Sequence, residues 1–289
     1  MRQDRPLADG RRLVYRHSLV VRLTHWVNLA SMVVLLFSGL QILCAHPAFY
    51  WGEASSFAHP FAAIDTAPAA NGTSRGVLTL PGLRLDTTGV LGVSRLADGE
   101  QSLRAFPRWL TLPSELDLGA GRRWHFFFAW VFALNGALYL ATGLASGRLV
   151  RTLAPTRAQL AGLGRTLWDH LRLKFPHGEE ARDYNGVQKL TYLAVVLVLL
   201  PLMVATGLSM SPTIDAVVPV LPMALGGRQS ARTIHFLCAS ALVLFVAVHL
   251  AMILLSGPIG EMRSMITGWF PIRPEPIRKD PIRSEQEPS

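Results

Sequence analysis

Four stretches of the chain, Leu19–Cys44, Trp124–Ala145, Leu190–Met210 and Ile234–Ser256, each approach the ~20 apolar residues that a helix needs to cross a bilayer. None contains an Asp or Glu. A backbone in hydrocarbon must satisfy its own hydrogen bonds, so each stretch is expected to be a helix and the four to pack as a bundle. The expected fold class is therefore an all-α integral membrane protein, a four-transmembrane-helix bundle with one long loop. The amino terminus carries several arginines and runs into a full-length span with no small-residue cleavage pattern, so the first span is expected to be retained.

A net charge of +9 could suggest nucleic acid, but its distribution argues for topogenic charge. Segments 1–22, 147–189 and 257–289 hold 6, 8 and 5 basic residues, and 45–123 and 211–233 hold 7 and 2, which is 19 against 9. Both termini are expected in the cytoplasm. Residues 1–18 form a short cytoplasmic tail. Residues 45–121 form an extracytoplasmic loop, either a functional cap or a docking surface. Residues 147–189 form a cytoplasmic amphipathic segment, with Leu160, Leu163, Leu167 and Leu171 at helical spacing. The tail 257–289 is rich in Pro and charge and reads as disordered. Pro201 predicts a kink in the third span.

The polar residues that matter most are histidines. His235 and His249 share the last span, and fourteen residues at 1.5 Å rise separate them by roughly 21 Å, about 40° short of four turns. One helix face thus offers two imidazoles at two depths. Running the spans alternately outward and inward places His25 with His249 near the cytoplasmic side, and His125 with His235 near the outer side. The other five histidines, His17, His46, His59, His170 and His177, lie outside the spans. Any one intramembrane histidine can be a hydrogen-bonded helix contact. Four that form two pairs at matching depths point instead to ligands. Zinc or copper could take imidazoles, but His₂ pairs without Cys or carboxylate best fit haem iron held on both axial sides, a state suited to electron transfer. Two cysteines are too few for an iron–sulfur site.

Arg22-Leu23-Thr24-His25-Trp26 in the first span, His125 at the start of the second, Tyr184-Asn185 with Gln188-Lys189 before the third, and the His235/His249 pair together resemble a known family. It comprises the bacterial di-haem cytochrome b membrane subunits of nickel–iron hydrogenases, formate dehydrogenases and thiosulfate reductases. The resemblance covers most of the membrane core. It implies two haem b groups, axial pairing of His25 with His249 and His125 with His235, a bacterial plasma-membrane location, and a quinone site near Tyr184, Asn185, Gln188 and Lys189. Propionates need cations, and Arg22, Arg122, Arg123 and Arg232 stand at suitable depths, although each is equally readable as a solvated positive charge. The long insertion and the absence of a fifth span depart from several relatives. The segment 104–123 looks most like the thiosulfate-reductase branch, which serves extracytoplasmic molybdopterin enzymes.

The expected function is thus an electron-transfer subunit linking an extracytoplasmic redox enzyme to the quinone pool, with no substrate chemistry of its own. A self-contained membrane oxidoreductase, such as a superoxide:quinone oxidoreductase, is the enzymatic alternative. A metal or proton transporter would require carboxylates in the spans, and there are none.

Overall fold

The computed structural model describes residues 4–6, 11–70, 72–96, 98–172 and 184–272. Strands β1 (Arg5–Pro6) and β2 (Arg12–Tyr15) precede α1 (Leu19–Leu43), and β3 (Ala48–Phe49) to β8 (Gln101–Leu103) fill the segment after it. Helix α2 (Leu118–Ala145) is followed by the short helices α3 (Arg148–Leu153), α4 (Arg157–Ala161) and α5 (Leu163–Leu171). The third span is α6 (Gly186–Ala194), a π-turn at Val195–Leu199, and α7 (Leu200–Ser209). Short helices α8 (Pro212–Val217) and α9 (Val220–Ala224) lead to α10 (Arg228–Ser256), then α11 (Pro258–Thr267) and β9 (Trp269–Ile272). Four helices, Leu19–Leu43, Leu118–Ala145, Gly186–Ser209 and Arg228–Ser256, are long and apolar enough to cross a membrane.

Burial on these helices is inverted relative to a water-soluble protein. The inward residues of α1 include Thr24, Ser31 and Ser38, seven apart on one face, together with Gln41, whereas Leu23, Val33, Phe127, Trp130, Leu134 and Leu244 point outward. In lipid, apolar surface gains nothing by turning inward, so small and hydroxylic residues take the interfaces and large apolar ones face the acyl chains. The π-turn lies just before Pro201, which occupies the first turn of α7; the widened turn accommodates the carbonyl that proline leaves without a donor.

The chain divides into two compact units. The first comprises Met1–Leu23, Gly143–Tyr192 and Val248–Ser289, and the second Thr24–Thr142 and Leu193–Ala247. In the first, β2 pairs antiparallel with both β1 and β9, with Tyr15 opposite Trp269. This corrects one sequence expectation: the tail expected to be disordered over 257–289 contains α11 and β9 up to residue 272. Tail-averaged Pro and charge content hid an aromatic strand, Trp269-Phe270-Pro271-Ile272, that has a partner only in the other terminus. Residues 273–289 lie outside the described residues, as do residues 173–183, His177 among them. In α5 the leucines at 163, 167 and 171 follow the expected helical spacing, and Leu160 belongs to the separate helix α4.

In the second unit the long segment between the first two spans is built from strands. Strands β3, β4 (Ala62–Pro68), β5 (Ser74–Leu80) and β6 (Leu83–Asp86) form an antiparallel sheet, and β7 (Val93–Arg95) pairs with β8. Leu43, Phe49, Ala62, Ile64, Ala105 and Phe106 make its core, against which Phe236 of α10 packs. Phe106 is thus a core residue. Gly52 accepts from the Gln229 and Ser230 amides at 3.0 and 3.2 Å. The close approach demands Gly227: its φ is +105°, and a Cβ there would stand 2.6 Å from the Gly52 carbonyl.

Candidate functional site

His125 enters the second unit on α2 and His235 on α10, and their ring centroids stand 6.3 Å apart at an interplanar angle of 63°. Each imidazole meets one hydroxyl. Ser38 Oγ lies 3.1 Å from His125 Nδ1, and Thr206 Oγ1 lies 2.9 Å from His235 Nδ1. A hydroxyl has one proton to donate. Ser38 gives it to the Val34 carbonyl at 2.6 Å, and Thr206 gives its proton to the Leu202 carbonyl at 2.7 Å, the bond four residues back along the helix. Both oxygens are left as acceptors, so the network assigns the proton of each ring to Nδ1 and leaves Nε2 with a free lone pair, the form in which histidine binds a metal.

The residue after each hydroxyl is glycine. A Cβ on Gly39 would sit 3.3 Å from His125 Cε1, and one on Gly207 3.5 Å from His235 Cε1, so both rings lie against bare backbone. The Ser-Gly and Thr-Gly pairs in apolar runs were the only sequence signal for Ser38 and Thr206, and it is a weak one. Asn135 likewise went unremarked; it donates to the Thr24 carbonyl at 2.8 Å and to Asn28 Oδ1 at 2.7 Å, joining α2 to α1 beside His25. His25 itself contacts the Trp26 ring at 5.5 Å.

The arginines expected near the outer pair divide. Arg122 and Arg123 are exposed, with Arg122 over the Phe126 ring at 5.4 Å. Arg232 is turned toward the cap, donating to the His46 carbonyl and lying 5.8 Å from the Phe49 ring. His46 stacks on Tyr50 and accepts or donates at its hydroxyl at 3.1 Å; burial, then the Arg232 charge, hold its imidazole below the usual range. Arg104, unremarked in the sequence as a ligand-facing group, is buried beside Gln41 and Thr111.

In the first unit, His249 stands 6.4 Å from the Tyr192 ring, which stands 5.2 Å from Tyr184. Arg16 lies over Tyr184 at 4.9 Å and pairs with Glu261 at 3.3 Å. Arg22 donates to the Ile266 carbonyl. Of the residues expected at a quinone, Asn185 and Gln188 cap each other reciprocally: Gln188 N donates to Asn185 Oδ1 at 3.0 Å and Asn185 N to Gln188 Oε1 at 3.2 Å, which fixes the start of α6. Lys189 is buried and donates to the Ala154 carbonyl at 3.4 Å. Among the described residues no group of three or more His, Cys, Asp or Glu gathers to hold a metal ion. Cys44 and Cys238 are both free thiols.

Comparison with known proteins identifies the family. The sequence model of the prokaryotic cytochrome b561 family matches residues 16–268. A curated relative from Azospira oryzae, the putative protein-methionine-sulfoxide reductase subunit YedZ1, is 28% identical over 239 residues, covering 83% of this chain and 90% of the relative. No solved structure matches.

Proposed function

Because the chain belongs to the prokaryotic cytochrome b561 family, it is a multi-pass membrane cytochrome of the haem b type, and we propose that it holds two haems and carries electrons between an extracytoplasmic redox enzyme and membrane quinone. His125 and His235 would ligate the outer haem, and His25 and His249 the inner one, with both termini in the cytoplasm. The observation that carries this reading is the outer pair. Two metal–imidazole bonds of about 2 Å, each with about 1 Å more to the ring centre, bring centroids to about 6 Å, and the rings stand 6.3 Å apart with Nε2 free on both.

Bound there and held by His125 and His235, haem would supply a one-electron couple. The chain's own groups do the rest. Ser38 and Thr206 accept from Nδ1–H, fix each ring's rotation and raise its basicity as a ligand. Large apolar side chains on the outside of the helices keep the site dry. On the cytoplasmic side, Tyr184 and Lys189 would offer protons to a quinone oxygen, while Asn185 and Gln188 hold the mouth of the third span in shape. The relative's name makes a protein-methionine-sulfoxide reductase one candidate for the extracytoplasmic partner, with the sheet of the 45–117 segment available on that side.

The test is the reduced spectrum and haem content of the purified full chain. Two b-type haems per chain are expected, and His125→Ala or His235→Ala should remove one and leave the other. One haem in the unaltered chain, or loss of both from either change, would overturn the two-site reading. Reduction by quinol without a partner supports the quinone assignment, whereas reduction by superoxide alone would favour a self-contained oxidoreductase.

A further inference from the structure

Arg104 is a buried cation among neutral groups. It is 7% exposed, and every partner it has is neutral. Nη1 donates to the Ser114 carbonyl at 2.7 Å, and Nη2 to Gln41 Oε1 and Thr111 Oγ1, both at 2.9 Å. Nε is buried with no acceptor at all. Glu115 contributes only its backbone carbonyl, to Gln41 at 2.8 Å, and its carboxylate pairs with Arg108 at 3.2 Å. A guanidinium does not deprotonate, so a buried one without a counter-ion carries a desolvation cost that neutral acceptors only partly offset.

The position of this charge is informative. Its partner Gln41 is three residues beyond Ser38, the residue that holds His125, and a Cβ on Gly121 would stand 2.9 Å from Gln41 Cγ. Gly121 is itself four residues before His125. Along both helices Arg104 therefore lies about one turn, roughly 5 Å, beyond the His125 level toward the outer side. A planar fork with an unused N–H, one turn from a histidine ligand, is shaped for a carboxylate.

Resting on the outer-haem reading above, we propose that Arg104 holds a propionate carboxylate of that haem, Nε–H supplying the donor that the protein leaves unpaired. Arg122 and Arg123, being exposed, are not needed for it. The remaining hydrogen bonds from Arg104 to α1 and to Thr111 keep the fork aimed and tie the cap to the haem level, so that the cap and the cofactor stabilise each other.

The experiment compares haem with its dimethyl ester, whose propionates carry no charge, in the full chain depleted of haem and reloaded in detergent; release to a haem scavenger is followed optically. In the unaltered chain the ester should leave the outer site faster than haem by roughly 10- to 100-fold, the range for a charge-assisted hydrogen bond. In Arg104→Gln that ratio should fall toward one. Because Arg104→Gln could fail to assemble, Gln41→Glu provides a second arm: it keeps the arginine and supplies a carboxylate of nearly the same shape, and should also collapse the ratio. A ratio unchanged in both variants overturns the proposal. Protection of the haem-free chain by millimolar formate or phosphate, lost in Arg104→Gln while the ester ratio stays as it was, would assign the site to a free anion and also overturn it. Failure of the unaltered chain to take up any haem would instead refute the function on which the inference rests.

Discussion

The two units treat their histidines in opposite ways. Around His125 and His235 everything polar is spent on holding the rings: one hydroxyl per Nδ1, a glycine against each Cε1, and a second-layer hydrogen bond to the helix backbone. Around His249 the neighbours are themselves protic or charged, with Tyr192 and Tyr184 leading to Arg16 and Glu261. A rigid, aprotic setting favours an electron carrier that changes charge with little rearrangement. A setting with phenols and an ion pair suits an end where electrons and protons move together.

The largest effect that would break this contrast is expected from the hydroxyls. Ser38→Ala with Thr206→Val removes both acceptors, and outer-haem affinity should fall roughly 10- to 100-fold, with its midpoint potential rising as the imidazoles become weaker donors. Potentiometric titration reads this directly. Ser209→Ala, which deletes a buried hydroxyl bonded only to the Ala205 carbonyl at 2.7 Å, is the control and should leave the potential in place. Equal shifts in the double variant and the control would mean that burial, not the histidine contact, is responsible.

A smaller effect should appear at the other end. Tyr184→Phe is expected to slow quinol-driven reduction by about 10-fold or more, the low side of what a positioned proton donor contributes, without altering the outer-haem spectrum. An unchanged rate would remove Tyr184 from the proton route and weaken the distinction between the two units.

The smallest effect concerns the cap. His46 has its imidazole pKa lowered by burial and by Arg232. The folded state therefore binds this proton less readily than the unfolded one, and the contribution of neutral His46 is complete above the ordinary value of 6.5 and is lost as pH falls from there through the folded value. Proteolysis of the 45–117 segment should accelerate modestly below pH 6.5, and His46→Gln should flatten that dependence. A slope that survives the substitution would place the titrating group elsewhere.

The four spans were legible because hydrocarbon imposes a length and a composition that nothing else in the chain satisfies. Their ends were less so. Helix α2 starts at Leu118 and α10 at Arg228, before the apolar runs begin, since Arg122, Arg123, Arg228 and Arg232 interrupt the apolar pattern but not the helix. The cap was not legible: its strands are two to seven residues long, and their alternation is too brief to stand out from the Gly- and Pro-rich turns between them.

By itself, the sequence determined the class of protein, the four apolar spans and the likeness to cytochrome b subunits, because all three depend on patterns along one dimension. Only the tertiary structure decided which side chains meet the histidines. Ser38 and Thr206 lie 87 and 29 residues from the rings they hold, and Arg104 lies 63 residues from Gln41. A hydroxyl facing an imidazole and a hydroxyl facing its own helix backbone read identically in sequence, and packing between helices alone distinguishes them.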